Sequence, residues 1–131
     1  MNADERRFDS ITEKIIGCAF AVSNELGIGF LEKVYENGLA HRLRKLGLEV
    51  RQQSPIKVYD EDGAVIGEYF ADLWINEVLI VELKAVRAIV PEHEAQILGY
   101  LKATRMAHGL LINFGSYKFE MRKFIWTEKG K

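Results

Sequence analysis

Apolar residues first recur at helical spacing: Ile11, Ile15, Ala19, Val22 and Leu26 follow one another at three- or four-residue steps. That spacing predicts a helix that starts near Asp9 or Ser10, either of which can cap it, and runs to Leu26, where Gly27 and Gly29 break it. Residues 1–7 are polar and expected to fray. A second helix is predicted over about 30–46, with Leu31, Val34, Leu39, Leu43 and Leu46 as its buried stripe and Gly47 just past its end. The chain then reads as strands over 48–53 and 55–59, a turn at Asp60-Glu61-Asp62-Gly63, and strands over 64–75 and 78–86 that turn near Asn76-Glu77. Pro91 opens a third helix that runs to about Arg105. Residues 108–114 are nearly all apolar, as expected of a strand inside a sheet, and Gly115-Ser116 turns into a last strand over 118–126. The order is helix, helix, four strands, helix, two strands. It implies a mixed sheet with helices packed on it, residues 78–114 forming a right-handed crossover.

The hairpin over 64–86 carries charge where charge is costly. Asp72 lies in Tyr69-Phe70-Ala71-Asp72-Leu73-Trp74-Ile75, and Glu82-Leu83-Lys84 lies on the next strand. Alternate strand residues share a face, so Glu82 and Lys84 point one way while Val81 and Leu83 point the other. The turn brings Asp72 opposite the Val81-Glu82 region. Two carboxylates and an ammonium on one face of an apolar hairpin must pair, bind a metal or do chemistry. A plain cross-strand ion pair between Asp72 and Lys84 is the simpler reading of these two residues alone. On the second helix Glu32 and Glu36 stand four apart on one face, with Tyr35 close to it. Spacing alone favours a solvated helix surface, with acids near the N-terminus where the helix dipole suits them. The sharper alternative has them reach the Asp72/Glu82 cluster and share a metal.

Composition narrows the partners. The 131 residues suffice for one domain, and 48 % hydrophobic with 28 % charged residues is ordinary for a globular chain. A formal net charge of −1 argues against coating nucleic acid by bulk electrostatics. It leaves room for a local basic path through Arg42, Arg44 and Lys45, Lys102 and Arg105, or Lys118, Arg122 and Lys123. In the N-terminal half the longest apolar stretch, 15–22, is interrupted by Gly17 and too short to span a bilayer, and no export signal is read, so no membrane partner is expected. A lone Cys18 in an apolar run fits a buried thiol and a reducing cytoplasm. His93-Glu94 lacks its second histidine, because Ile97 stands four residues on, and His41, His93 and His108 are scattered. Gly27 and Gly29 are followed by Glu32 where a dinucleotide loop needs its third glycine.

The run Gly29-Phe30-Leu31-Glu32-Lys33-Val34-Tyr35 resembles the signature of the GxxExxY family, a branch of the PD-(D/E)XK nuclease superfamily. Asp72 after an aromatic run, Glu82-x-Lys84, and Gln96 with Tyr100 four residues later follow in that family's order. The resemblance spans nearly the whole chain; Ala71 replaces the proline of the superfamily's name. It implies a single nuclease-like domain over 1–131 with a restriction-endonuclease-like fold, an α/β (α+β) arrangement of order ααββββαββ. It further implies a nuclease that hydrolyses DNA or RNA with Mg2+ or Mn2+. The metal would be held by Asp72, Glu82, the Leu83 backbone carbonyl and Glu36. Lys84 would orient water or stabilise charge, Gln96 would position water or phosphate, and Glu32, Tyr35 and Tyr100 would support the site. The competing expectation is a non-catalytic module that keeps the fold and acts within a complex or as a homodimer.

Overall fold

The computed structural model describes residues 3–128. Its elements are α1 (Ala3–Leu26), α2 (Glu32–Lys45), β1 (Val50–Tyr59), β2 (Val65–Ile75), β3 (Leu79–Lys84), α3 (Pro91–Thr104), β4 (His108–Asn113) and β5 (Glu120–Ile125). The five strands form one sheet in the order β1-β2-β3-β4-β5. Pairing is antiparallel except between β3 and β4, which run parallel and are joined through α3. This is the mixed, helix-flanked α+β sheet that the sequence implies, with one strand fewer. Residues 48–53 and 55–59 are not two strands, because β1 runs through Ser54 and Pro55 without a break. A proline interrupts a central ladder but is accepted at a sheet edge, and β1 is an edge strand.

α1 and α2 cover one face of the sheet. Ile11, Ile15, Ala19 and Val22 from α1 and Leu39, Ala40 and Leu43 from α2 pack against Leu73, Ile75, Leu79, Val81, Leu83, Leu110 and Ile112. α3 covers the other face, where Ile97, Tyr100 and Leu101 meet Ile56, Ile80 and Leu111. With both faces covered, β3 is buried at every position before Lys84, which is why it reads as an apolar run. Val90 N–H donates to His93 Nδ1 at 3.1 Å, so the histidine of the broken zinc motif caps α3. Among the described residues no helix is long and apolar enough to cross a membrane.

Two helix expectations change. α1 begins at Ala3 rather than at Asp9 or Ser10, so of the residues expected to fray, 3–7 belong to the helix and 1–2 lie outside the described residues. On α2 the buried stripe is Tyr35, Glu36, Leu39, Ala40 and Leu43, while Leu31, Val34 and Leu46 are exposed. The helix is rotated from the expected stripe because Tyr35 anchors it. The Tyr35 hydroxyl donates to the Gly27 carbonyl at 2.6 Å and accepts from Phe30 N–H at 3.3 Å, and its ring stacks on Phe114 with centroids 4.8 Å apart. Gly29 lies in the loop so held, with φ +116°, a region that a side chain disfavours. The rotation carries Glu36 inward.

Candidate active site

β2 and β3 pair at Ile75–Leu79, Trp74–Ile80 and Leu73–Val81, and their pairing stops there. Beyond it β2 continues with β1 alone, as far as Val65, and β3 continues with β4 to Lys84. The sheet forks at Asp72 and Glu82. Two carboxylates take over the backbone N–H groups freed by the fork. Asp72 N–H donates to Glu82 Oε2 at 2.7 Å, and Leu83 N–H donates to Asp72 Oδ2 at 2.8 Å. Both carboxyl groups thereby satisfy backbone donors that the fork would otherwise leave unpaired.

Helices on both faces reach this gap. Ile80, Glu82 and Lys84 share a face by alternation, and Ile80 packs under α3. On that side Lys84 Nζ donates to Gln96 Oε1 at 3.0 Å. Tyr100, one turn along α3, is buried, and its ring lies 5.5 Å from that of Tyr69. From α2, Glu36 is 3 % exposed and accepts from Lys33 Nζ at 3.1 Å, Gln52 Nε2 at 2.7 Å and Gln53 Nε2 at 2.8 Å. Gln53 Nε2 also donates to Asp72 Oδ1 at 3.1 Å, so one amide links the α2 acid to the β2 acid. Glu32 is exposed as a whole residue, but its carboxyl is partly desolvated and lies near the Ala85 backbone and within electrostatic reach of Asp72, Lys84 and Glu36.

The fold thus brings together Asp72, Glu82, Lys84 and Gln96, with Glu32, Glu36 and Tyr100 around them. Leu83 stands between with its N–H on Asp72 and its side chain in the core. Tyr35 stays behind, at the α1–α2 loop. Among the described residues no three of His, Cys, Asp and Glu are gathered closely enough to hold a metal ion. The chemistry of the donors nevertheless suits a hard divalent cation, since every candidate side chain offers carboxylate oxygen. Gln52 and Gln53 were not singled out by sequence reasoning. Their role depends on the β1–β2 register, in which the pairs Gln52–Leu73 and Ser54–Ala71 put Gln53 opposite Asp72, and no local motif reports that.

A model of the PD-(D/E)XK nuclease superfamily matches residues 9–124. The chain belongs to the PD-(D/E)XK nuclease superfamily. The crystal structure of SSO0001 is similar in fold to this PD-(D/E)XK chain, with a TM-score of 0.56 and 19 % identity over 91 % of this chain and 59 % of that one. The chain therefore spans about 59 % of the length of that neighbour. No curated protein matches it.

Electrostatics at this PD-(D/E)XK fork are unbalanced toward negative charge. Burial, followed by the neighbouring Asp72 charge, pushes the Glu82 carboxyl up to about 8, against the pull of Asp72 N–H and Lys84. Burial also raises Asp72, opposed by Leu83 N–H and the Gln53 amide, and burial with the Asp72 charge raises Glu32. The Tyr100 hydroxyl is pushed up to about 12 by burial and then by Glu82 and Asp72. A carboxyl whose folded value is raised binds its proton more tightly in the folded state. Its contribution to stability is complete below the unfolded value, near 4.5 for Glu82, and is lost as pH rises through about 8. Without metal, the melting temperature is expected to fall from pH 5 to pH 8.5, and Glu82→Gln to flatten that slope. A melting temperature that rises across the same range, followed by circular dichroism, would contradict the assignment.

Between the β1–β2 arm and α3 runs a groove of about 960 Å³ that Gln96 and Tyr100 line together with Tyr59, Tyr69, Lys102 and Arg105. Of the basic residues singled out in the sequence, Arg42 pairs with Glu25, Arg105 with Glu128, and Arg122 with Glu94.

Proposed function

We propose that this chain is a metal-dependent nuclease that hydrolyses phosphodiester bonds of DNA or RNA at the β2–β3 fork. The observation that carries the reading is the meeting of Asp72 and Glu82 where the strands part, with Lys84 on the same face as Glu82 and bonded to Gln96. Superfamily membership supports it. Asp72 and Glu82, with the Leu83 carbonyl and Glu36, would hold Mg2+ or Mn2+. When bound, such an ion acidifies water and neutralises phosphate charge.

The remaining steps belong to the chain's own groups. The Lys84 ammonium, on the same strand face as Glu82, would stabilise negative charge developing on the phosphate or hold the attacking water by a hydrogen bond. Because Gln96 uses Oε1 to accept from Lys84, its Nε2 is left to donate to a phosphate oxygen or to water. The groove beside α3, which Gln96 lines, offers tyrosine rings and Lys102 to a nucleic-acid strand, with Asp60 and Glu61 also on its wall.

The test is incubation of the protein with single- and double-stranded DNA and RNA in Mg2+ or Mn2+, with a chelator control. Chelator-sensitive cleavage is expected; intact substrates with folded protein and either metal would count against it. One observation favours a second reading, a non-catalytic module acting in a complex or as a homodimer. The Asp72 and Glu82 carboxylates are already occupied by backbone donors, and no three acids are gathered among the described residues. Calorimetric titration with Mn2+ separates the two. Binding that disappears in Asp72→Asn and Glu82→Gln is expected for the nuclease. No heat of binding in the natural protein would favour the module.

A further inference from the structure

Gln53 takes a backbone conformation that residues with side chains seldom adopt: its φ is +51°, in the left-handed region, in the middle of β1. Its side chain is bonded to two acids from different elements, with Nε2 2.8 Å from Glu36 Oε1 and 3.1 Å from Asp72 Oδ1. A primary amide carries two N–H groups, so a single nitrogen can serve both carboxylates at once. Glu36 does not need Gln53 to be satisfied. Gln52, without a left-handed backbone, donates to its other oxygen at 2.7 Å, and Lys33 pairs with it at 3.1 Å. The unusual conformation at Gln53 therefore secures the link between Glu36 and Asp72 rather than the partnering of Glu36 alone.

We propose that the Gln53 amide is a built-in substitute for the divalent cation, holding Glu36 and Asp72 in register while the ion is absent and yielding its place when the ion binds. A neutral group with two donors does at this point what a cation would do, drawing two carboxylates toward one centre without contributing charge. The inference rests on the nuclease reading for the ion itself. It makes Gln53 a positioning residue that sets ion affinity through the acids it holds.

The experiment compares the natural protein with Gln53→Ala and Gln53→Gly by Mn2+ calorimetry and by melts with and without Mn2+. Metal-free Gln53→Ala is expected to melt below the natural protein. Both variants are expected to bind Mn2+ roughly tenfold tighter or more, because the ion no longer displaces an amide bonded to two charged groups. Both should gain more melting temperature from saturating Mn2+ than the natural protein does. Gln53→Gly deletes the amide while suiting the left-handed backbone, so it keeps the comparison decisive should the alanine protein fold poorly. A purely structural role would lower the melting temperature without tightening the ion. Mn2+ affinity equal to or weaker than that of the natural protein overturns the proposal, as does failure of all three proteins to bind Mn2+. A natural protein that binds no Mn2+ overturns both readings; one that binds Mn2+ and cuts neither DNA nor RNA overturns the nuclease reading alone, and unchanged or weaker Mn2+ affinity in the variants of a protein that cuts overturns this proposal alone.

Discussion

Glu82→Gln is expected to abolish cleavage and at the same time to stabilise the metal-free protein. The carboxyl is 4 % exposed and raised to about 8, so at pH 8 much of it carries a charge that its surroundings disfavour. An amide of the same shape keeps an oxygen to accept from Asp72 N–H and removes that charge. The gain should be roughly 1–3 kcal/mol at pH 8, read as a higher melting temperature. Activity moves the other way, because an amide is a poorer partner for a divalent cation than a carboxylate. Lys84→Ala supplies the contrast. It should reduce cleavage on the order of 10²–10³-fold, as for loss of one charge-stabilising donor, while Mn2+ binding persists. A Glu82→Gln protein that cuts at the natural rate would end the assignment of the fork as the reactive centre. A Lys84→Ala protein with unchanged turnover would remove the lysine from it.

Gly115→Ala is expected to cost about 3 kcal/mol of stability, the upper end for overpacking. A methyl group at Gly115 would lie 2.3 Å from Val86 N, 2.5 Å from the Ala85 carbonyl carbon and 2.5 Å from Val86 O, all backbone atoms that no rotamer change can move aside. This crowding follows from Asn113, a fully buried side chain at the end of β4. Its Oδ1 accepts from Val86 N–H and Gly115 N–H, each at 3.0 Å, and its Nδ2 donates to Val86 O at 2.9 Å and Glu120 Oε1 at 2.8 Å. Every hydrogen-bonding position of the amide is used, and the result draws the β4–β5 turn onto the segment just after Lys84. Gly115→Ala should therefore melt lower and also lose activity through Lys84. Gly99 on α3 is the control, because a methyl group there meets nothing within 4 Å, so Gly99→Ala should be neutral or stabilising by up to about 1 kcal/mol. Equal melting temperatures for the two variants would refute the packing argument.

Much of this molecule was legible in the order of its residues. Ile11, Ile15, Ala19 and Val22 mark the buried face of α1 by spacing alone, and the hairpin turn stands at Asn76 and Glu77, where both residues take positive φ. Period-two alternation puts Glu82 and Lys84 on one face. These features are local, set by neighbours within a few positions. The rest was not local. Whether residues 48–59 make one strand or two depended on β1 lying at the sheet edge, where Pro55 breaks no central ladder. Which side of α2 faces inward depended on a hydroxyl at Tyr35 finding the Gly27 carbonyl, which buried Glu36 and left Val34 outside. The meeting of Gln53 with Glu36 and Asp72 depended on register between β1 and β2 and on the docking of α2 over the fork. Short-range order along the chain settled which segments curl or extend and which acids and amines were on hand. Which acids share a space, and what lies between them, was settled by long-range packing, because a side chain's charge state and partners come from atoms far along the chain brought near by folding.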